Sequence, residues 1–444
     1  MRSRDFSINR KTIVFSFITQ FFQYCINALV LPFILAYVDS TTLGVWYIFL
    51  SVSGLAYLLD FGFSASLSRN LSYVFSGAKE LLKEGYSIET EDKRIDYKLL
   101  YSVIYTTKYT YWRISVVMLF LLITIGTYYI IYTTNGTNYI YEWLFFSFSV
   151  VINYYYSYVN VFIRGRGKIS LSNKLMIISR STYVIVVGLL LFWGCNLWSL
   201  IIANFLSAFV SRQLGLFYFW DKELKSKIKS VSFSPPLNLF SIIWYNAQKT
   251  GITSVTVYAY SQSNVLIGGL FLSLSQVAQL GLSMQLFAII QTLAGVCLNI
   301  FYPRICSLWV TNDKKQIKNL FLKSQLICYS IFFASCSMLL FGGNFILHLF
   351  HSQTALPSVS VLIIFVLFYF MENTHGKCAI LISTTNTIPF YKADIVACIT
   401  TVMVMVVLLN CGLGLYSFPI AMCCGSLPYN SWKWPLVCYK LLKD

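Results

Sequence analysis

Long apolar runs separated by short polar turns dominate the sequence, and the stretch from Leu31 to Asn70 shows this pattern most clearly. One apolar segment ends there, about four polar residues follow, and a second apolar segment begins. Because a membrane-spanning helix needs roughly 20 predominantly apolar residues, the stretch predicts a helical hairpin that crosses a membrane twice. A single carboxylate, Asp60, lies within the second segment.

The same pattern continues along the chain and predicts about twelve helices. Charged residues make up only 11% of the 444 residues, whereas soluble domains carry roughly 25%, so most of the chain is not expected to face water. The predicted fold class is an all-α integral membrane protein. Its predicted spans are residues 12–38, 43–68, 114–132, 143–163, 175–194, 198–219, 239–271, 277–301, 325–346, 358–381, 391–410 and 414–432.

A polar segment that ends in Pro235-Pro236 divides these helices into two sets of six. The predicted domains are an N-lobe of residues 1–219, a cytoplasmic linker of residues 220–238 and a C-lobe of residues 239–444. Because each set contains an even number of helices, both would have the same orientation, as in a parallel pseudo-repeat about an axis along the membrane normal. We expect the two lobes to surround a central cavity.

The distribution of positive charge predicts the topology. With the N-terminus in the cytoplasm, 31 of the 33 Lys and Arg residues fall on the cytoplasmic side, and the opposite loops carry none. Cytoplasmic loops of membrane proteins are enriched in Lys and Arg, so both termini are predicted to be cytoplasmic. This placement explains the net charge of +17 without a nucleic-acid partner, and it predicts a multi-pass membrane protein.

No arrangement of residues typical of an enzyme is present in the sequence. It contains only three His residues, and it has neither a phosphate-binding loop nor a Ser-His-Asp pattern. The twelve Cys residues are scattered, mostly in apolar segments, and include no CxxC pair, which is typical of small buried side chains. We therefore expect no catalytic residues, no metal site and no cofactor.

Polar residues recur at helical spacing on three of the predicted spans, which places them on one face of each helix. They are Ser16, Gln20, Gln23 and Asn27 on the first span; Ser53, Tyr57, Asp60, Ser64 and Ser68 on the second; and Asn246, Lys249, Thr253, Thr256 and Tyr260 on the seventh. Such residues often form hydrogen bonds between packed helices. Three stripes, two of them with an ionisable residue, favour a water-filled cavity instead.

Ionisable side chains inside the spans provide candidate functional residues, because a charge at mid-bilayer costs roughly 2.5–3.5 kcal/mol on insertion scales. Lys249 and Arg180 are candidates to hold an anionic headgroup. Asp60, Glu372 and His375 are candidates for ion or proton coupling, for gating, or as counter-ions to those cations. Glu372 and His375 share a helix face at i,i+3 and can pair with each other or with Lys249.

Several short motifs give the chain a resemblance to a known family. They are Leu31-Pro32, Leu43-Gly44-Val45-Trp46, Leu59-Asp60-Phe61-Gly62, Arg164-Gly165-Arg166-Gly167, Ser261-Gln262-Ser263-Asn264, Tyr302-Pro303-Arg304 and Trp434-Pro435-Leu436. With these motifs and its topology, the chain resembles the O-antigen and polysaccharide repeat-unit flippases (the Wzx type) of the multidrug/oligosaccharidyl-lipid/polysaccharide exporter superfamily.

This resemblance implies a transporter that moves undecaprenyl-diphosphate-linked oligosaccharides across the bacterial inner membrane by alternating access, without covalent chemistry. Lys249 and Arg180 would then contact the diphosphate, and Gln20, Gln23, Asn27 and Tyr260 the sugar hydroxyls. The expected partners are the lipid-linked substrate, the lipid bilayer, a polysaccharide polymerase and a chain-length regulator, with H⁺ or Na⁺ as a coupling ion. Two alternatives remain: a cation-coupled multidrug antiporter of the same superfamily and, less favoured because the outer loops are short, a repeat-unit polymerase.

Overall fold

The computed structural model describes residues 30–75, 77–81, 95–136, 138–231, 239–261, 263–310, 313–385 and 389–443. Within these residues all regular secondary structure is helical, and residues 30–37 are helical before the first numbered helix. The helices are α1 (Ser40–Tyr57), α2 (Phe63–Phe75), α3 (Tyr97–Leu121), α4 (Thr127–Thr133), α5 (Ile140–Tyr155), α6 (Tyr158–Gly165), α7 (Ile169–Phe192), α8 (Asn196–Phe219), α9 (Lys222–Val231), α10 (Phe240–Ser261), α11 (Ser263–Phe271), α12 (Leu274–Val310), α13 (Lys314–Leu349), α14 (Val359–Ser383), α15 (Tyr391–Asn410), α16 (Ser417–Ser426) and α17 (Asn430–Lys443).

Eight helical segments of the described residues are long and apolar enough to cross a membrane. They include the segments at Asn196–Phe219 and Val359–Ser383, each of which exceeds the roughly 20 residues that a span requires. The predicted fold class of an all-α integral membrane protein is therefore confirmed, and the protein crosses the membrane several times.

The second predicted span, residues 43–68, is interrupted. A 3₁₀ turn at Leu58–Asp60 follows α1, and Phe61 then adopts the left-handed conformation with φ of 41°. Gly62 also has a positive φ, of 78°, which glycine adopts without the steric penalty of a Cβ. The interruption comes at Asp60, the residue that stands out in the sequence of this segment.

Two spans extend beyond their predicted starts because an aspartate caps the helix in the preceding polar segment. The span predicted to begin at residue 114 begins at Tyr97, where the Asp96 carboxylate accepts hydrogen bonds from the N–H groups of Lys98 and Leu99. The span predicted to begin at residue 325 begins at Lys314, where Asp313 accepts from Gln316. A side-chain acceptor at this position satisfies amide groups that would otherwise lack partners, so the helix can start well outside the apolar run.

The chain divides into two compact units, of which one comprises residues 45–266. Its core contains an aromatic group in which Phe49 packs edge-on against Trp143, with ring centroids 5.0 Å apart, and stacks on Phe146 at 5.5 Å. Elsewhere in this unit α2 and α6 approach closely at Gly165, where an added Cβ would lie 2.5 Å from the Leu71 Cβ. Small residues at helix contacts allow such close packing in membrane proteins.

The other unit comprises residues 267–444 together with the described residues up to 44. One core cluster joins helices α12, α13, α14 and α17 through Leu298, Ile317, Leu381 and Trp434. Helices α15 and α16 meet at Gly425, where an added Cβ would lie 2.0 Å from the Thr401 hydroxyl oxygen. The predicted lobes, residues 1–219 and 239–444, remain a prediction.

Candidate functional site

A cavity of about 910 Å³ lies within the unit of residues 45–266. We call it the Asp60 cavity. Its lining combines serine and asparagine side chains, four tyrosines, two arginines and one carboxylate, with a single aliphatic residue. The lining residues are Tyr57, Asp60, Ser64, Ser68, Arg69, Ser72, Tyr73, Tyr111, Tyr154, Ser157, Asn160, Val161 and Arg164.

The polar stripe of the second predicted span forms one wall of this cavity. Tyr57, Asp60, Ser64 and Ser68 all line it, although the helix is interrupted between Tyr57 and Ser64. The remaining member of the stripe, Ser53, is buried and donates a hydrogen bond to the Leu50 carbonyl at 2.8 Å. Four of the five residues of this stripe therefore line one cavity.

The turn that carries Asp60 is held in place by aromatic packing against α10. The Phe61 ring stacks on Trp244, with centroids 5.7 Å apart and an angle of 19° between the planes. The ring also lies against the backbone of Gly251, where an added Cβ would come within 2.4 Å of it. Phe61 and its partners thus fix the left-handed residue that directs Asp60 into the cavity.

The Asp60 carboxylate accepts two hydrogen bonds from its surroundings. The Tyr154 hydroxyl donates to one oxygen at 3.2 Å, and the Ser64 N–H donates to the other at 3.2 Å. Because these neutral donors do not cancel the charge, the ionised carboxylate remains available to attract a cation or to accept hydrogen bonds from a ligand.

A buried tyrosine lies beside this carboxylate, and an arginine lies beside the tyrosine. Tyr111 is fully buried, its ring packs 5.3 Å from that of Tyr154, and its hydroxyl faces Asp60 and Ser157. Arg212 of α8 interacts electrostatically with Tyr57 and Tyr111. Among the described residues, neither the Tyr111 hydroxyl nor the Arg212 Nε makes a hydrogen bond. Both are buried groups with unused hydrogen-bonding capacity, and of the two, Tyr111 is among the described residues that line the cavity.

Two further arginines line the cavity, namely Arg69 of α2 and Arg164 of α6. Both are exposed, and both belong to segments that the charge pattern predicts to be cytoplasmic. The Arg164 Nε donates a 3.4 Å hydrogen bond to the Ser172 hydroxyl. An arginine presents several donors in a planar fork that suits phosphate and carboxylate oxygens, so the lining offers two groups able to contact an anion in addition to the Asp60 carboxylate.

The other predicted substrate residues are placed as follows. Gln20, Gln23 and Asn27 lie outside the described residues. Lys249 and Tyr260 belong to α10, but the structure does not describe the positions of their side chains. Arg180 lies on α7, exposed and near Tyr183, and within the described part of the chain it is not among the residues that line the Asp60 cavity. The predicted pairing of Lys249 with Arg180 around an anion stays a prediction.

Glu372 and His375 lie in the other unit, and the structure brings them together. The His375 Nδ1 is 3.5 Å from a Glu372 carboxylate oxygen, and Asp394 of α15 lies near His375. Asp394 accepts a hydrogen bond from Asn430, whose own carbonyl oxygen accepts from the Trp434 indole, both at 3.0 Å. We call these residues the Glu372 cluster. They link α14, α15 and α17.

Lys377, on the same helix as the Glu372 cluster, is also buried, with 8% of its surface exposed. Its ammonium group lies against Gly295 of α12, where an added Cβ would be 2.7 Å from the Nζ atom. Among the described residues, no group of three or more His, Cys, Asp and Glu side chains is arranged to hold a metal ion.

Sequence reasoning missed three residues that line the Asp60 cavity and one arginine that lies near two of its tyrosines. Tyr111, Tyr154 and Asn160 come from helices for which no polar stripe was identified. Arg212 was counted with a cytoplasmic loop, but it lies within α8, seven residues before the helix ends at Phe219, or roughly 10 Å along the axis at 1.5 Å per residue. The signal that could have identified it is a charge directly after Ser211, which lies one helical turn after Ser207.

Comparisons with known proteins bear on the fold. No protein-family model matches the chain, and no curated protein matches it. Several solved structures, however, are similar to this chain. The inward-facing conformation of a multidrug resistance MATE family transporter of the MOP superfamily has a TM-score of 0.67 at 12% identity, covering 95% of this chain and 94% of that chain.

Two other solved structures are also similar. The lipid II flippase MurJ, in an inward closed conformation, has a TM-score of 0.64 at 13% identity, covering 97% of this chain and 91% of that chain. A MOP superfamily transporter from Pyrococcus furiosus has a TM-score of 0.53 at 12% identity, covering 97% of this chain and 95% of that chain. The chain therefore has the fold of the MOP superfamily transporters, the multidrug/oligosaccharidyl-lipid/polysaccharide exporters.

Proposed function

We propose that this protein is a flippase that moves undecaprenyl-diphosphate-linked oligosaccharide repeat units across the bacterial inner membrane by alternating access. The observation that carries the proposal is the composition of the Asp60 cavity. Flippases and drug exporters share the fold, so the fold alone does not select between them.

The cavity combines the chemical groups that a sugar with an attached phosphate requires. Its serine and asparagine side chains can exchange hydrogen bonds with sugar hydroxyls, and the ring of Tyr57, which is 41% exposed, offers an apolar surface for the C–H face of a sugar ring. The volume of about 910 Å³ is near the upper end of the roughly 300–1,000 Å³ typical of small-ligand sites. A headgroup of a few sugars fits such a space.

Three arginines give the cavity an affinity for the diphosphate. Arg69 and Arg164 line it, and Arg212 lies next to two of its tyrosines. Because Coulomb attraction strengthens as the effective dielectric constant falls, guanidinium groups at a membrane cavity attract phosphate more strongly than they do in water. We propose that these residues contact the diphosphate, alongside the roles predicted for Lys249 and Arg180.

Asp60 would then act in coupling. An ionised Asp60 attracts a cation, whereas a protonated Asp60 can donate a hydrogen bond to a ligand hydroxyl. Binding of H⁺ or Na⁺ at this carboxylate would therefore change the affinity of the cavity for its substrate. Since an ion drives a conformational change only through its different affinity for the two states, Asp60 is the proposed group through which an ion gradient acts.

The proposed place of the protein in the membrane and in its pathway follows from the lipid-linked oligosaccharide substrate. The lipid tail stays in the bilayer while the headgroup occupies the cavity, both termini face the cytoplasm, and no covalent bond is made or broken. A polysaccharide polymerase and a chain-length regulator would use the translocated units, which places this protein in synthesis of O-antigen or another surface polysaccharide.

Complementation tests the proposal. Cells that lack their own repeat-unit flippase, in a strain that supplies the cognate glycan, would express the wild type, Arg164→Gln, or the control Lys225→Gln on the exposed face of α9, at matched protein levels. We expect the wild type and the control to restore long-chain surface polysaccharide. Arg164→Gln should lower display by about tenfold, the effect of losing one charge-assisted hydrogen bond, and lipid-linked units should accumulate. Failure of the wild type would rule out this function.

A cation-coupled multidrug antiporter is the second candidate, and the carboxylate within an aromatic-lined cavity favours it. A cationic, apolar drug would pair with ionised Asp60 and stack on the tyrosines. In that case expression in a strain lacking its drug exporters should raise resistance to cationic drugs, Asp60→Asn should abolish the resistance, and Arg164→Gln should leave it unchanged or increase it. The opposite effects of the arginine substitution separate the two functions.

A further inference from the structure

A second cavity in the unit of residues 45–266 has a different character from the Asp60 cavity. It measures about 610 Å³ and is lined by residues of α2, α3 and α10. We call it the aromatic groove. The residues that define its chemistry are Phe63, Tyr105, Tyr109, Arg113, Phe240 and Trp244.

Stacked rings along two helices form the walls of this groove. On α3, Tyr105 and Tyr109 are four residues apart, with centroids 6.1 Å apart and an angle of 12° between the rings. On α10, Phe240 and Trp244 are 6.3 Å apart at 8°, and the Phe63 ring lies 5.5 Å from that of Trp244. The rings thus form continuous apolar surfaces, against which hydrocarbon can pack.

These aromatic side chains remain substantially exposed within the protein. The exposed fractions are 46% for Tyr105, 41% for Tyr109, 47% for Phe240 and 38% for Trp244. In a membrane protein such apolar surface meets lipid, and tyrosine and tryptophan favour the level of the headgroups. Interfacial aromatic residues are common, but here those of two helices line one concave space.

Among the described residues that line the groove, one side chain is charged. The Arg113 guanidinium carbon lies 4.3 Å above the centre of the Tyr109 ring, and this stacking leaves the edge of the planar group available for hydrogen bonds. The lining also includes the hydroxyl-bearing Thr106, Thr110 and Ser241, and no carboxylate is among the described lining residues. One cation beside apolar walls suits an amphiphile with one negative charge.

From this arrangement we propose that the aromatic groove binds an anionic phospholipid, with the phosphodiester on Arg113 and the first acyl carbons on the rings of Tyr105, Tyr109 and Trp244. A glycerophospholipid such as phosphatidylglycerol carries the single charge that one arginine balances, whereas a diphosphate carries more. The site is separate from the Asp60 cavity and does not depend on which substrate the protein transports.

Native mass spectrometry of the purified full-length protein, titrated with phosphatidylglycerol or phosphatidylcholine, tests this site. We expect the wild type to retain phosphatidylglycerol preferentially and Arg113→Gln to bind it about tenfold more weakly, the effect of removing one charge-assisted hydrogen bond. Lys98→Gln is the matched control, because it removes an exposed charge on the same helix outside the groove. It should stay within about twofold of the wild type.

Equal weakening by both substitutions would show that general surface charge attracts the lipid and would overturn the proposal, as would an Arg113→Gln protein that binds like the wild type. Preferential retention of polyprenyl phosphate over phosphatidylglycerol would assign the groove to another lipid. A second measurement needs no variant: a photoreactive phosphatidylglycerol should label peptides that contain residues 105–113 and 240–244 of the wild type. Labelling confined to other peptides would exclude the site.

Discussion

Two groups of ionisable side chains lie among the spans, and they differ in what surrounds them. Asp60 lines a cavity of about 910 Å³ and stands on an irregular turn. His375 and Lys377 belong to a continuous helix, Val359–Ser383, and are less than 9% exposed. Ionisable residues in a membrane are costly and often functional, but these two groups can meet that cost in different ways.

The groups of the Glu372 cluster face one another within the protein, although neither ring nitrogen of His375 makes a hydrogen bond among the described residues. His375 faces Glu372, Asp394 accepts from Asn430, and Asn430 accepts from Trp434. Among the described residues, Asp60 by contrast has only neutral donors, and it faces open space beside the Tyr111 hydroxyl. The difference suggests that Asp60 binds a ligand and that the Glu372 cluster links helices. Substitutions at matched positions in the two regions can separate these roles.

The largest expected effect is on transport. Asp60→Asn removes the charge that faces the cavity while keeping the side-chain size, and we expect transport to fall roughly tenfold or more, since losing an interaction of a charged group costs about 1.5–3 kcal/mol. Glu372→Gln should lower transport by less than about threefold. Surface polysaccharide and lipid-linked intermediates, measured at matched protein levels, provide the readout. A larger loss from Glu372→Gln would reverse the assignment of roles.

The next effect concerns stability and uses two asparagines. Asn430→Leu leaves the Asp394 carboxylate and the Trp434 indole without their partner, so the free energy of unfolding should fall by about 1–3 kcal/mol. Asn160→Leu, on the wall of the Asp60 cavity, should change it by less than about 0.5 kcal/mol, as at other accessible positions, while lowering transport. Denaturation of the purified variants in one detergent measures both. Equal destabilisation would remove the distinction between the two regions.

The features of the fold and of the candidate site that could be predicted are those determined by residues close together in the sequence. Helix existence and the membrane class follow from apolar runs of nearly 20 residues, because the bilayer imposes that length on every span. The wall formed by Asp60, Ser64 and Ser68 was also predictable, since their spacing places them on one helix face. Both signals are local in sequence.

The remaining parts of the site depend on contacts that sequence spacing does not encode. The left-handed Phe61 is held by Trp244 and Gly251, far away in sequence. Tyr111 and Tyr154 come to Asp60 from separate helices, and an arginine that would count as a loop charge lies beside them inside α8. The starts of the helices capped by Asp96 and Asp313 were missed because the prediction placed each start at the beginning of the apolar run. The capping side chain allows the helix to begin earlier, in the preceding polar segment.

A smaller effect on the free energy of unfolding is expected when a glycine in each region is replaced by alanine. The sign of the effect should be opposite near Asp60 and near the Glu372 cluster. Gly62 has φ of 78° in the turn after Asp60, so Gly62→Ala should lower the free energy of unfolding by about 1–2 kcal/mol. Gly376 lies within α14 beside His375, with no atom within 4 Å of an added Cβ, and Gly376→Ala should raise it by about 0.5–1 kcal/mol. Thermal unfolding of both variants, followed by circular dichroism, measures the difference. A neutral Gly62→Ala would show that the turn is not held in its left-handed conformation.

The smallest effect lies outside the spans, where the unit that contains the Asp60 cavity carries an exposed ion pair. Arg166, two residues after Arg164, donates to the Asp221 carboxylate and also, at 3.0 Å, to the Phe219 carbonyl. Arg166 lowers the pKa of Asp221 below its ordinary value of 3.8. The folded protein therefore binds fewer protons at this carboxylate than the unfolded chain, so the pair stabilises the fold fully above that ordinary value and loses this contribution as pH falls through the lowered pKa.

Solvent screens a pair as exposed as this one, so the contribution should stay below about 1 kcal/mol. Asp221→Asn should lower the stability at neutral pH by that small amount and should match the wild type at the acidic end of the transition. Unfolding midpoints of the two proteins, compared from pH 7 to the lowest pH at which both remain soluble, give the difference directly. A gap that persists or widens in acid would mean that Asp221 stabilises the end of α8 by contacts other than its charge. The transport defect expected of Arg164→Gln should not appear in Asp221→Asn, because Arg164 lines the cavity and the Arg166–Asp221 pair only joins the helices next to it.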